Sequence, residues 1–220
     1  MDRLHRRFVQ RGDLVFDVGA HVGDRVASFR RLGAKVVAIE PQRAMARVLR
    51  LLYGLSRSVV IEETAVGRAQ GRASMMINVD NPTVSSFSSA FIRAARDAPG
   101  WETQRWDQTA DVAVTTLDAL IERHGRPSFI KLDVEGFEAE ALQGLSRAAP
   151  ALSFEFTTIQ RDVALACIER CLSLGYVSFN AAVGESQVLL DDWFDAESIA
   201  RWLMALPLAA NSGDIYARTA

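Results

Sequence analysis

Three stretches of this 220-residue sequence have residue types and spacing suited to chemistry. The first is "DVGAHVGD" (17–24), where Gly19, His21 and Gly23 stand between Asp17 and Asp24 after an apolar run. A glycine-rich turn between a strand and a helix lets a ligand approach the main chain. The second is Glu40, closing "AKVVAIE". It stands at the distance downstream where a strand-end carboxylate accepts both ribose hydroxyls of a nucleoside cofactor. The third is "LDVEG" (132–136), in which Asp133 and Glu135 flank Val134. Alternate residues of an extended segment share a face, so the two carboxylates are expected side by side, with Lys131 on that face too. Adjacent carboxylates resist joint ionisation unless a cation or donor lies between them. The pair therefore suits taking a proton, gripping an ammonium or holding a metal ion. Glu155 and His21 are further candidate bases, and no ligand set is complete enough to assign a metal.

The composition of the turn discriminates among cofactors. A phosphate-binding loop of the form G-x-x-x-x-G-K-[ST] is absent, because three residues separate the glycines and Asp24 follows. A dinucleotide fingerprint needs glycine where His21 stands, and Asp17 and Asp24 oppose a pyrophosphate. S-adenosylmethionine carries a sulfonium and an ammonium and no phosphate, so an acid-flanked turn suits it better. In that reading Asp17, Gly19 and His21 border the methionine end, and Gly23 lets helix and strand pack closely. Glu40 takes the ribose, and Thr64, Ala65 and Val66 line the adenine side. An NAD-linked oxidoreductase and a non-catalytic cofactor-binding module remain as alternatives.

Positioning these residues requires alternating strands and helices. Strands are expected at 13–18, 34–40, 58–67, 127–136 and 151–157, with helices at 22–32, 43–54, 137–147 and 160–174. Further strands are expected at 71–79, at the start of 111–125 ahead of a helix, and at 176–181, 186–190 and 214–218, with a helix at 195–206. The pattern is that of an α/β parallel sheet covered on both faces, filling one domain over 1–220. Open sheets of this kind bind ligands at the carboxyl ends of their strands, which is where the three stretches converge. An aperiodic insertion at about 78–112 is expected to border the acceptor site, with Ser85, Ser86 and Phe87 nearest and Trp101 or Trp106 offering a stacking face.

Net charge is −2 and 49% of residues are hydrophobic, which supplies a sizeable core and no general attraction for nucleic acid. No run is long and apolar enough for a membrane span, and the start of the chain lacks a secretory h-region. Cys167 and Cys171 lie one helical turn apart and read as reduced thiols, so a cytoplasmic location is expected.

The ordered series "VFDVGAHVGD", "VVAIEP", "ETAVG", "TTLDAL" and "IKLDVEGFEAEALQGL" resembles the FkbM-type family of S-adenosylmethionine-dependent methyltransferases over roughly residues 13–160. "KLDVEGFE" is the most diagnostic segment. The resemblance implies a Rossmann-like class I methyltransferase fold, a seven-stranded, mostly parallel sheet with an antiparallel last strand. It also implies methylation of a hydroxyl on a sugar or secondary metabolite, with Asp133 and Glu135 as the catalytic candidates and Asp133 also near the cofactor. Two positions depart from the family pattern: His21 replaces a common Asn, and Gln42-Arg43 replace Asn-Pro after "EP".

Overall fold

The computed structural model describes all 220 residues. A short helix α1 (Asp2–His5) precedes β1 (Leu14–Val18), α2 (Asp24–Arg31), β2 (Lys35–Ile39), α3 (Arg43–Tyr53) and β3 (Val59–Glu62). An excursion follows, with β4 (Ala65–Val66), β5 (Gly71–Ile77), α4 (Ser89–Arg96) and β6 (Gln108–Thr115). The chain then returns through α5 (Leu117–His124), β7 (Phe129–Leu132), α6 (Glu138–Gln143), β8 (Ala151–Thr157) and α7 (Arg161–Leu174). It ends with β9 (Ser178–Val183), α8 (Ala196–Ala205) and β10 (Ser212–Arg218).

The main sheet has seven strands in the order β3-β2-β1-β7-β8-β10-β9. The first five are parallel, and β10 runs antiparallel between β8 and β9. The order reverses between β1 and β7, so a crevice opens at the carboxyl ends of those two strands.

Strand alternation divides the core between the two faces. Val15 and Val36 pack with Val26 and Phe29 of α2 and Leu49 of α3, whereas Phe16 and Val37 join the cluster that includes Leu117, Leu142 and Ile168. Each fully buried Val, Leu or Phe in these clusters stabilises the fold by about 1.5–3 kcal/mol relative to exposure. The continuous apolar runs of β1 and β2 follow from this two-sided burial.

Several expected elements differ. The strand expected at 58–67 splits into β3 and β4, and β4 joins a second sheet of order β4-β6-β5. Thr64 turns the chain between them, donating its hydroxyl to the carbonyls of Ala65 and Ala113. The excursion thus contains a three-stranded sheet and begins earlier than the expected insertion. The expected aperiodic insertion holds a helix, α4, whose N-cap is Ser88, accepting from the Phe91 N–H at 3.0 Å. The strand expected at 127–136 stops at Leu132. Residues 186–190 form no strand. Asn180 occupies the backbone there, donating to the carbonyls of Leu190 and Asp192 and accepting from the Leu190 N–H. No helix is long and apolar enough to cross a membrane.

Candidate active site

A cavity of about 380 Å³ opens at the carboxyl ends of β1, β2 and β7. Its wall takes in Asp17, Gly19, His21, Glu40, Thr64, Ala65, Val66, Ser85, Phe87, Asp133 and Glu135. Gly23 and Ser86 stand behind it.

The turn after β1 is built by left-handed backbone at Gly19, His21 and Gly23. Gly19 has φ +82°, and a Cβ there would collide with the carbonyl oxygen of Asp133 and come within 2.8 Å of its carbon. Glycine is required because the turn crosses the end of β7. His21 has φ +46°, a conformation that asparagine and histidine adopt more readily than most residues, so the departure from Asn leaves the turn intact. Gly23 serves a different packing from the helix–strand contact expected. A Cβ there would sit 2.5 Å from the Tyr53 ring and 2.9 Å from Leu49, and the Tyr53 hydroxyl donates to the Gly23 carbonyl at 2.9 Å. The close approach is to α3.

Glu40 is only 2% exposed. Its carboxylate accepts the His21 N–H at 2.9 Å on one oxygen and the Gln42 N–H at 2.8 Å on the other. One donor per oxygen fixes the group and leaves each oxygen a free acceptor position on the cavity wall. Burial raises its pKa to about 7, and the two N–H donors limit the rise. Gln42, the second departure from the family pattern, also donates through its side chain to the Pro82 carbonyl, joining the excursion to the Glu40 side of the cavity. Asp17 is likewise 2% exposed, and one of its carboxylate oxygens has no partner. Burial raises its pKa to about 7 against the pull of Lys131 and Arg25.

Asp133 and Glu135 come together differently from the expected strand alternation. The strand has ended, and Glu135 itself is left-handed at φ +53° with Gly136 at φ +84°. This turn is held from behind by two side chains. Glu138 accepts the Val134 N–H at 2.9 Å and the Gly136 N–H at 3.4 Å, and the Ser86 hydroxyl donates to the Glu135 carbonyl at 2.5 Å. Oxygens of Asp133, Glu135 and Glu155 lie within 4.8 Å of one another. Lys131 donates to Asp133 at 3.1 Å and to Asp214 at 2.9 Å. Burial opposes ionisation of Asp133, but the Lys131 ammonium outweighs it and holds the carboxyl below its ordinary range. Burial drives Glu135 well upward, reinforced by Asp133 and Glu138. Glu155 is raised in the same way by burial, then by Glu135 and Asp133. The cluster thus holds one carboxyl made more acidic by its lysine and two made less acidic by burial and by neighbouring acids.

On the excursion side, the Ser85 hydroxyl accepts the Asn78 N–H at 3.1 Å and Phe87 packs against Phe137 with centroids 5.3 Å apart. Ser86 is fully buried, and its role lies in the Glu135 turn. Trp101 and Trp106 also stand away from the cavity: both meet Phe91 edge to face, and the Trp106 N–H donates to the Val84 carbonyl at 2.8 Å. They brace the segment that carries Ser85 and Phe87. Arg25, Glu138, Phe137 and Asp214 were without a role at the level of sequence. For Glu138 the signal was present, since it closes the "DVEGFE" motif; Asp214 is distant in the chain and leaves none.

S-adenosylmethionine fits this donor set. The unpartnered Asp17 oxygen suits an ammonium, the fixed Glu40 carboxylate suits two hydroxyl donors, and Ala65 and Val66 offer a buried apolar surface for adenine.

Residues 17–189 match the family model of the methyltransferase FkbM domain. No curated protein sequence matches the chain. Among solved structures, the chain is similar to methyltransferase FkbM from Methylobacillus flagellatus, at 16% identity and a TM-score of 0.56 over 99% of this chain and 50% of that one. It therefore spans half the length of that protein. A TehB-like SAM-dependent methyltransferase from Corynebacterium glutamicum aligns over 100% of this chain and 86% of its own at 12% identity and a TM-score of 0.48. An rRNA methylase from Streptococcus thermophilus aligns over 99% and 93% at 11% identity and a TM-score of 0.47.

Proposed function

Because the chain belongs to the FkbM methyltransferase family, we propose that it is an S-adenosylmethionine-dependent O-methyltransferase acting on a hydroxyl of a sugar or secondary metabolite. The observation that carries this reading is one cavity wall bearing both the fixed Glu40 carboxylate and the Asp133–Glu135–Glu155 cluster. When bound, the cofactor supplies an electrophilic methyl group on a sulfonium.

The chain's residues do the rest. Glu40 accepts the ribose hydroxyls, Asp17 faces the ammonium, and Thr64, Ala65 and Val66 enclose the adenine. Phe87 and Phe137 shield the acceptor side from water, and Ser85 borders it. Methyl transfer is an in-line displacement, so holding the acceptor oxygen in position supplies much of the acceleration. An alcohol must also lose a proton. Asp133, kept ionised by Lys131, is the acceptor for that proton. Glu135, which retains its own proton, donates a hydrogen bond that fixes the hydroxyl. As Asp133 takes the acceptor's proton, the neighbouring Glu135 and Glu155 pass one of their own to solvent, so the cluster titrates as a unit.

The test is calorimetric titration with S-adenosylhomocysteine and with NAD, followed by methyl-labelled S-adenosylmethionine and a panel of sugar and polyketide alcohols. Binding of S-adenosylhomocysteine and a product bearing a new O–CH3 group are expected. NAD binding alone overturns the cofactor, and a methyl group found only on nitrogen or carbon overturns the acceptor class.

A further inference from the structure

The cavity wall is crowded with carboxylates, yet it contains two basic side chains with permanent charge, Lys131 and Arg25. They differ in what remains for a ligand. Lys131 is 2% exposed and already serves Asp133 and Asp214. Arg25 stands in the first turn of α2, two residues beyond Gly23, and reaches the same wall as Asp17. Its only protein partner is Glu185, met through one terminal nitrogen at 3.1 and 3.3 Å. A guanidinium has five N–H donors, so most of its hydrogen-bonding capacity is unspent.

The Glu185 contact is one a ligand can displace. The Glu185 side chain is 76% exposed, against 23% for Arg25. An ion pair with one partner in water contributes little. Glu185 also lies in a short helical turn, Gly184–Ser186, with left-handed backbone at Gly184 and Gln187. The same wall includes Asp17, one of whose buried carboxyl oxygens has no protein partner, so an acidic group and a largely unspent guanidinium stand at one end of the cavity.

That pairing matches a zwitterion. We propose that Arg25 binds the α-carboxylate of the cofactor's methionine arm while Asp17 faces its ammonium, with Glu185 the counter-ion that Arg25 gives up. The proposal rests on the S-adenosylmethionine reading above and adds the residue that selects for the amino-acid portion. A carboxylate on an acidic acceptor has the same chemistry. Arg25 is assigned to the cofactor because it follows the Gly19–Gly23 turn in the chain and shares its wall with Asp17, whereas the acceptor side is built by the excursion.

The test compares S-adenosylhomocysteine with 5′-methylthioadenosine, which keeps the nucleoside and lacks the amino acid. Both are titrated calorimetrically into wild type, Arg25→Met and Glu185→Gln, with thermal melting to confirm folding. Arg25→Met is expected to weaken S-adenosylhomocysteine ~10-fold or more, the loss of a charge-assisted bidentate contact, and to leave 5′-methylthioadenosine within about twofold. Glu185→Gln is expected to keep or improve the affinity for S-adenosylhomocysteine. Equal weakening of both ligands by Arg25→Met overturns the proposal, since Arg25 then only shapes the cavity. Unchanged S-adenosylhomocysteine affinity with a raised acceptor KM also overturns it, assigning Arg25 to the acceptor. Wild-type protein that binds neither ligand overturns the cofactor reading itself, a result separable from the other two.

Discussion

The Lys131 ammonium lies 3.1 Å from Asp133 on the cavity wall, and Asp214 of β10 holds its other side at 2.9 Å. The last strand thereby reaches the carboxylate cluster through a buried cation. Lys131→Met leaves two carboxylates without their counter-charge in a dry setting. Removing one partner of a buried pair costs about 3–5 kcal/mol, so a loss of that order is expected in urea unfolding. Lys131→Met combined with Asp214→Asn should recover part of it. A single variant as stable as wild type would show that water already neutralises the pair.

The buried acids set a pH dependence whose sign is opposite to common acid unfolding. Asp17 and Glu40 are raised from 3.8 and 4.5 to about 7 by burial, so between about pH 4 and pH 7 the folded chain binds more protons than the unfolded one. Stability is therefore lost as pH rises through that window, at about 1.4 kcal/mol per pH unit for each extra bound proton. Asp17→Asn removes one such group. Unfolding free energies from pH 5 to 8 should fall less steeply in the variant, and identical slopes would refute the assignment.

Glu40→Ala removes the acceptor of two main-chain N–H groups and, in the proposed function, that of the ribose. Affinity for S-adenosylhomocysteine should fall by about 1–3 kcal/mol, the usual cost of unpaired buried donors. Adenine alone should bind the variant and the wild type alike. Unaltered S-adenosylhomocysteine affinity would remove Glu40 from the site.

Gly12 and Gly19 make a controlled comparison. Both have positive φ, +92° and +82°, but a Cβ at Gly12 meets nothing within 4 Å while one at Gly19 runs into the Asp133 carbonyl. Gly12→Ala should cost only the left-handed strain, about 1–2 kcal/mol. Gly19→Ala must also push β7 from the turn, so its melting temperature should fall further and S-adenosylhomocysteine binding should fail. Equal destabilisation by the two would mean that the crossing yields without cost.

What was legible in the sequence is what local chemistry encodes. The alternation of apolar strands and amphipathic helices placed β1, β2, β7 and β8, and the glycine spacing located the turn. Glu40 stood out because it ends an apolar run. The excursion was legible in part: 71–79 and the start of 111–125 read as strands and are β5 and the end of β6, whereas the break of 58–67 at Thr64 and the helix α4 went unread. Contacts between distant segments left no local mark. Asp214 to Lys131, Ser86 to the Glu135 carbonyl and Glu185 to Arg25 are all of this kind. The two tryptophans were conspicuous for their size, yet they brace α4 rather than face the cavity.

The Glu135 turn supports the sharpest prediction. Asp133 and Glu135 are brought together by a left-handed bend that Glu138 and Ser86 hold through main-chain contacts. The two carboxyl groups themselves are thus free of that structural duty, and Asp133→Asn and Glu135→Gln change charge while preserving shape. Asp133→Asn removes the anion that receives the acceptor's proton; Glu135→Gln replaces a proton-holding acid with an amide that donates hydrogen bonds but cannot take up or release a proton. Each should fold and bind S-adenosylhomocysteine, and each should lose at least ~100-fold in kcat, the low end for general acid–base catalysis. Because the cluster acts as a unit, the double variant should lose far less than the product of the single losses. Single-turnover rates on the true acceptor measure both effects. If either amide variant turns over within a few-fold of wild type, that carboxyl group takes no part in moving the proton.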